Sequence, residues 1–233
     1  MIAENIKHLR ESTTAKCEEF KRNPQEIKLV AVSKFFGIDA INEANGLGIT
    51  DFGENKAQEL RDKYEILGDK VTWHFIGTLQ RNKVKYAVKA ASYIHSVDSK
   101  ILVDEINKEA EKLSKVQNIL LEVNTSSEES KSGLKEKTEV LKLVKYCSTL
   151  QNVKLIGLMT MAPFTDDTRI IRKSFAELRN LKDEINQNGF DLRELSMGMT
   201  NDYEIAIEEG ATMLRIGSAI FGERNYKKGW RQS

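Results

Sequence analysis

The sequence predicts an α/β protein folded as a single (β/α)8 TIM-type barrel over residues 1–233. Three observations predict it. Short, apolar, β-branched runs alternate with charged stretches of helical period. About eight such units follow one another, the number that closes a barrel of roughly 250 residues, and the chain has 233. Small and polar residues gather where the apolar runs end. An open, doubly wound sheet uses the same units and is the competing architecture.

The elements follow in order. Ile2, Ile6, Leu9, Cys17 and Phe20 fall near helical spacing with charges between them. They predict an amphipathic helix that ends before Asn23-Pro24. The period then changes, and Ile27–Ser33 (IKLVAVS) reads as a buried parallel strand. Further strands are predicted at Ile49–Gly53, Trp73–Gly77, Tyr93–Val97, Ile119–Asn124, Lys154–Thr160, Glu194–Gly198 and Met213–Gly217. Helical periodicity marks Lys56–Leu67, Ile101–Leu113, Leu134–Leu150 and Arg169–Asn188. Only two prolines and no Gly/Ser-rich linker interrupt the chain, which argues against a second domain.

Composition narrows the setting. A content of 40% hydrophobic and 30% charged residues is that of a soluble globular protein. The 36 basic and 35 acidic residues nearly cancel, so no general field draws the protein to nucleic acid or to a membrane. Cys17 and Cys147 are far apart and lack metal-ligand spacing, which fits a reducing, cytoplasmic setting. The N-terminus is charged from Glu4 onward, unlike a signal peptide. No apolar run approaches the roughly 20 residues that span a bilayer. With only His8, His74 and His95, a zinc-type cluster is excluded.

Sites on parallel α/β folds lie at the carboxyl ends of the strands. Those ends carry Lys34, Gly53-Glu54-Asn55, Gly77, Ser96, Asn124, Thr160-Met161, Ser196-Met197-Gly198, and Arg215 with Gly217-Ser218. A lysine directly after an apolar strand is either a nucleophile whose pKa desolvation lowers, or a surface amine on an apolar stem. The loops Ser196–Thr200 and Arg215–Ser218 fall on the last two predicted strands. There, backbone N–H groups and hydroxyls commonly bind phosphate, although both loops also read as tight turns. Arg215 alternates with Leu214 and Ile216, so it faces the other side of its strand and needs an acceptor there. A ligand ring nitrogen, a phosphate and a buried carboxylate are the candidate acceptors. His74 reads as a hydrogen-bonded core residue. Glu54 and Asp202 read as general acids or bases, or as helix caps or dipole partners, and Asp202, following Thr200-Asn201 at a helix start, as the cap.

Taken together, the segments resemble the pyridoxal phosphate homeostasis protein family, single-domain barrels similar to the N-terminal domain of alanine racemase (fold type III of the pyridoxal phosphate proteins). The resemblance rests on LVAVSK (Leu29–Lys34), FGENKAQEL (Phe52–Leu60), WHFIGTLQRNK (Trp73–Lys83) and SVDS (Ser96–Ser99). GLMTMAP (Gly157–Pro163) and the long run Leu195–Arg224 complete it. It implies a Schiff base between pyridoxal 5'-phosphate (PLP) and Lys34, with Asn55 near the cofactor. Ser196, Gly217 and Ser218 would bind the phosphate with Met197 behind it, and Arg215 would face the pyridine nitrogen. His74 and Gln80–Lys83 belong to a family signature without an assigned chemical role. Two departures stand out. Phe35-Phe36-Gly37 follows the lysine where many members carry Thr or a similar residue and a proline, and Thr200 and Ser218 stand where Ser and Thr are common.

The same resemblance implies a function. Strong carbanion stabilisation by PLP needs a protonated ring nitrogen and a placed base. An arginine facing that nitrogen works against the first. Racemases of similar fold bring a tyrosine base from a second domain, and this sequence stops shortly after Arg224. The expectation is a monomeric, non-catalytic PLP carrier acting in PLP homeostasis and amino and keto acid balance, and passing PLP to apo-enzymes. One alternative is a PLP-dependent racemase-like enzyme that takes its second base from Tyr203 or His74. Another is a cofactor-free Schiff-base aldolase or phosphate-binding isomerase.

Overall fold

β-Branched and aromatic runs supply the strands, and each is followed by a charged stretch with an apolar stripe. In the computed structural model, which describes residues 1–126, 128, 132–223 and 230, eight strands close a parallel barrel in chain order. They are β1 (Lys28–Val32), β2 (Asp51–Glu54), β3 (Thr72–Phe75), β4 (Tyr93–Val97), β5 (Gln117–Glu122), β6 (Val153–Met159), β7 (Glu194–Ser196) and β8 (Met213–Ile216). Pairing of β1 with β8 closes the ring, Val30 opposite Arg215 and Ala31 opposite Ile216. The open-sheet alternative is thereby excluded.

The helices of the described residues are α1 (Ile2–Glu19), α2 (Ile38–Gly46), α3 (Ala57–Leu67), α4 (Val84–Ala90), α5 (Lys100–Lys112), α6 (Lys137–Cys147), α7 (Thr168–Gln187), α8 (Tyr203–Glu208) and α9 (Ser218–Phe221). α1 ends where the sequence predicts, and Asn23 then accepts from Gln25 N at the turn that Pro24 opens. Its buried face carries Ile6, Leu9, Thr13 and Cys17. Arg22 ties the end of α1 to the carbonyls of Ile207 and Ala211, at 2.7 Å each. In α7 the stripe Ile171, Phe175, Leu178 and Ile185 is buried against the barrel. A large apolar side chain buried this fully contributes about 1.5–3 kcal/mol, so one deletion such as Phe175→Ala would undo much of the seat of α7. Both cysteines are free and buried. No helix among the described residues is long and apolar enough to cross a membrane.

Some boundaries differ from expectation. The third strand stops at Phe75 instead of Gly77, because the chain turns there to run against the exit of β2. A Cβ on Gly77 would lie 2.2 Å from the Asn55 carbonyl oxygen. α2 and α4 have no counterpart among the predicted segments. Their periodic stretches span nine and seven residues, too short to establish an amphipathic period.

Side-chain parity divides the core in two. Outward residues such as Phe52, Trp73, Ile94, Leu195 and Leu214 pack beneath the helices. A separate small cluster of Leu120, Met159 and Met213, with Tyr93 and Ile156 against it, occupies the barrel interior. Beside it the interior is polar. Asp51, His74, His95, Ser196 and Arg215 share the inward parity and bond to one another in succession. Barrels of this kind are usually filled by branched apolar side chains.

Candidate functional site at the barrel mouth

The strand register brings the predicted residues to one end of the barrel. Ser33 N donates to Gly53 O at 3.1 Å, so the chain leaving β1 runs beside β2. Lys34 therefore lies between the exit of β2, where Asn55 follows Glu54, and the exit of β8, where Gly217 and Ser218 follow Ile216. Lys34 is half-buried.

The turn around Lys34 is held from below. Lys63 on α3 is fully buried and donates to Glu54 (2.6 Å), Glu59 (2.9 Å) and the Ser33 carbonyl (2.9 Å). Ser33 Oγ donates to the same Glu54 oxygen at 2.6 Å, and Phe35 N donates to Glu59 at 2.9 Å. Both neighbours of Lys34 are thus fixed, and Phe35 sits at φ +71°, in the left-handed region costly for a bulky residue. Burial pushes the Glu54 carboxyl up to about 7, with Lys63 opposing and Glu59 adding. Glu54 is thus neither a cap nor an exposed acid. Phe36 stacks on Phe221 of α9 with centroids 4.8 Å apart, which joins the Lys34 turn to the end of β8.

The last two strands end in a polar cup. Gly198 has φ +94°, and a Cβ there would meet Ala206 Cβ at 2.6 Å, so only glycine allows this turn. The turn carries Thr200, whose Oγ1 lies 3.2 Å from Ser218 Oγ and accepts from Ala219 N at 3.3 Å. Gly217 stands at the start of α9, and Met197 is fully buried beneath. Asp202 occupies the N-cap position of α8, but its carboxylate does not cap the helix. It accepts from Met199 N at 2.5 Å and closes the 199–202 turn instead. The cap reading is corrected on that point.

Arg215 points inward. Its Nη1 donates to Ser196 Oγ (2.7 Å) and its Nη2 to the Thr160 carbonyl (2.8 Å). Burial pulls the guanidinium down to about 10, against Asp202 and Glu122, so it stays charged at neutral pH. Glu122 at the end of β5 is buried and pushed up to about 7 by desolvation, with Asp98 adding and Arg215 opposing. Ser196 lies deeper than Thr200. Its hydroxyl is fully buried between Arg215 and His95 Nδ1, 2.8 Å away.

Other residues at strand ends tie loops together. Ser96 donates to the Gly77 carbonyl at 2.5 Å, and Thr160 to the Val123 carbonyl at 2.7 Å. Arg81–Lys83 form a 3-10 turn into α4. His74 is fully buried with both ring nitrogens bonded, and the Tyr203 hydroxyl faces Ser12 of α1 at 2.8 Å. Neither stands as a base at the mouth. Arg224, the last residue of the matching run, lies outside the described residues.

The sequence does not mark Lys63 and Glu59 as parts of the site. Lys63 falls with Ala57, Leu60 and Leu67 on the buried face of α3, so a charge inside an apolar stripe was the available signal. Thr200 is legible as the end of the Ser196–Thr200 loop, whereas its pairing with Ser218 emerges from folding.

The fold and mouth define a class, and the relatives agree with it. The family model described as "Alanine racemase, N-terminal domain" matches residues 2–225. Curated "Pyridoxal phosphate homeostasis protein" chains are similar throughout. That of Aquifex aeolicus is 44% identical over 225 residues, covering 96% of this chain and 98% of its own. That of Schizosaccharomyces pombe is 38% identical over 210 residues, 88% of each chain. The structure of PipY from Synechococcus elongatus with PLP bound superposes with a TM-score of 0.84 at 34% identity, covering 95% of this chain and 100% of that one. The protein is thus a barrel of the alanine racemase N-terminal-domain class. Within that class it belongs to the pyridoxal phosphate homeostasis protein family.

Proposed function

We propose that this protein binds PLP in the barrel mouth through a Schiff base on Lys34, and serves intracellular PLP homeostasis as a carrier and not as an enzyme. The observation that carries this reading is the convergence of three features on one barrel end: the Lys34 amine, the Thr200–Gly217–Ser218 cup and the inward Arg215. Each matches one part of the cofactor, namely the aldehyde, the phosphate and the ring nitrogen.

The residues pass a test of fit. Asn55 Oδ1 is buried without a hydrogen-bond partner, and an orphaned acceptor is costly unless a ligand donates to it. Turned over, the same amide would present Nδ2 as a donor to the ring oxygen of PLP. Lys34 would form the covalent link, Asn55 would lie beside the ring, and Arg215 would face the ring nitrogen. Thr200, Gly217 and Ser218 would receive the phosphate, with Met197 packed below. Ser196, expected on the phosphate, is instead bonded to Arg215 and His95 and would act one step behind, through Arg215. When bound, PLP supplies an electrophilic carbon for amines and a ring that delocalises charge. Arg215 is a donor only, so it favours an unprotonated ring nitrogen and a weak electron sink.

Support for carrying over catalysis comes from what the mouth holds. The two candidate second bases are committed elsewhere: His74 inside the barrel and Tyr203 to α1. Phe164, at 98% exposure, and the exposed Met161 and Met199 lie on the loops after β6 and β7. They offer an apolar rim to an apo-enzyme receiving PLP. Free, buried Cys17 and Cys147 fit a reducing cytoplasm, and burial pushes the Cys147 thiol up to about 12, leaving it inert. A role in amino and keto acid balance would follow from PLP supply to transaminases.

The test follows two readouts on PLP-loaded protein. Reactivation of an apo-transaminase is measured beside racemisation and transamination of single amino acids. Transfer without amino acid turnover supports the carrier. Turnover abolished by Lys34→Ala would replace it with the racemase-like reading.

A further inference from the structure

We propose that His95 and His74 are positioning residues for Arg215, joined to it through Ser196 and anchored on Asp51 in a one-way hydrogen-bond line across the barrel interior. The inference deepens the reading of the mouth and rests on it for the role of Arg215.

The direction of every proton follows from the two ends. A guanidinium only donates, so Ser196 Oγ accepts from Arg215 Nη1 at 2.7 Å. The single Ser196 proton then goes to His95 Nδ1 at 2.8 Å, which must present a lone pair. Neutral His95 carries its proton on Nε2 and donates it to His74 Nδ1 at 2.9 Å. His74 in turn carries its proton on Nε2 and donates to Asp51 Oδ1 at 2.8 Å. An ionised carboxylate only accepts, so the line cannot run backwards.

The surroundings hold the rings in that state. Burial keeps His95 well below its ordinary range, and His74, Arg215 and Lys28 add to the effect. Burial also lowers His74 against the pull of Asp51, while Lys28 lowers it further and Glu194 opposes. Tyr93 stacks on His74 with ring centroids 4.5 Å apart. Asp51 is fixed by Thr50 Oγ1 at 2.7 Å and by Lys28 at 3.7 Å, and stays ionised. A second proton on either ring would set donor against donor.

A buried polar line of this kind is a poor source of stability, since apolar residues of similar volume do as well. Its consequence is geometric. Without His95, the Ser196 hydroxyl rotates and holds Arg215 Nη1 only part of the time. With it, Ser196 and the Thr160 carbonyl fix two corners of the guanidinium plane, and the remaining N–H groups have one orientation. The histidine of the sequence signature, His74, thereby gains a role without touching the ligand.

Nitrogen NMR on histidine- and arginine-labelled protein tests the proposal, first without PLP. The expected result is two neutral Nε2–H rings at neutral pH, and slowly exchanging Arg215 Nη protons. Those guanidinium signals should collapse in Ser196→Ala and His95→Leu, and in Asp51→Ala. They should survive in Asp51→Asn, which keeps an acceptor. With PLP loaded, His95→Leu should release it about 5- to 10-fold faster, with a pH-dependent visible band that the wild type lacks. Rings protonated on Nδ1, or titrating near their ordinary range, would overturn the line, and this needs only the wild type. Arg215 signals unchanged in His95→Leu would overturn positioning. A protein that shows the predicted tautomers and guanidinium signals but takes up no PLP supports the line, and counts only against the reading of the mouth.

Discussion

Lys63 Nζ donates to the carbonyl oxygen of Ser33 at 2.9 Å, and the next residue in the chain is Lys34. One buried lysine thus sets the backbone that presents another. The buried ammonium also neutralises charge between Glu54 and Glu59, which are 0% and 6% exposed. Removing it strands carboxylates in a dry site and releases the Ser33–Phe35 turn at once.

Lys63→Met should therefore destabilise the fold by about 3–5 kcal/mol, the cost of breaking a buried ion pair from one side. The check is a shift of the urea midpoint at unchanged slope. A loss under about 1 kcal/mol would mean that the cluster relaxes to admit water.

Thr200→Val removes the hydroxyl that meets Ser218 Oγ and Ala219 N while keeping nearly the same volume. Binding of PLP should weaken about 10-fold or more, as for a lost hydrogen bond to a charged group. Binding of pyridoxal, which lacks the phosphate, should barely change. Calorimetric titration with the two ligands separates a phosphate cup from a general packing effect.

Gly77→Ala places a methyl group 2.2 Å from the Asn55 carbonyl oxygen, a contact that backbone must move to relieve. The expected cost is more than about 2 kcal/mol of stability. Weaker PLP uptake should follow, because Asn55 moves with its own carbonyl. Thermal melts and PLP titrations of the variant report the two effects separately.

Glu122 gives a pH dependence with a defined sign. Its folded pKa of about 7 lies above the ordinary value of 4.5. The folded state therefore binds the proton more tightly than the unfolded chain. The stabilisation is complete below about 4.5 and is lost as pH rises through about 7. Its size is on the order of 3 kcal/mol. Wild type should lose stability relative to Glu122→Gln by this amount between pH 4.5 and 8. Parallel denaturation curves across that window would overturn the assignment.

Much of this was legible in the sequence, for reasons that particular residues show. Tyr93–Val97 reads as a strand because β-branched and aromatic residues fill it and turns flank it, and β4 has those bounds. Lys34 and the two glycine loops are legible because they end apolar runs, a local signal. What was hidden is what depends on register. His74 and His95 are 21 residues apart, yet the pairing of His74 with Tyr93 places the rings on neighbouring strands with the same inward parity. Asp51, His74, His95, Ser196 and Arg215 form a polar line only once their strands are set in register. Asp202 shows the opposite failure: its position before a helix predicts a cap, but the nearer Met199 N–H captured its carboxylate.

The most direct test of the central claim is chemical. Protein loaded with PLP is reduced with borohydride, digested, and the labelled peptide located by mass spectrometry, with Lys34→Ala in parallel. The account predicts one pyridoxyl-lysine, at Lys34, and no stoichiometric label or visible band in the variant. A stoichiometric label on another lysine, or a wild-type protein that stays colourless and unlabelled at saturating PLP, would contradict it.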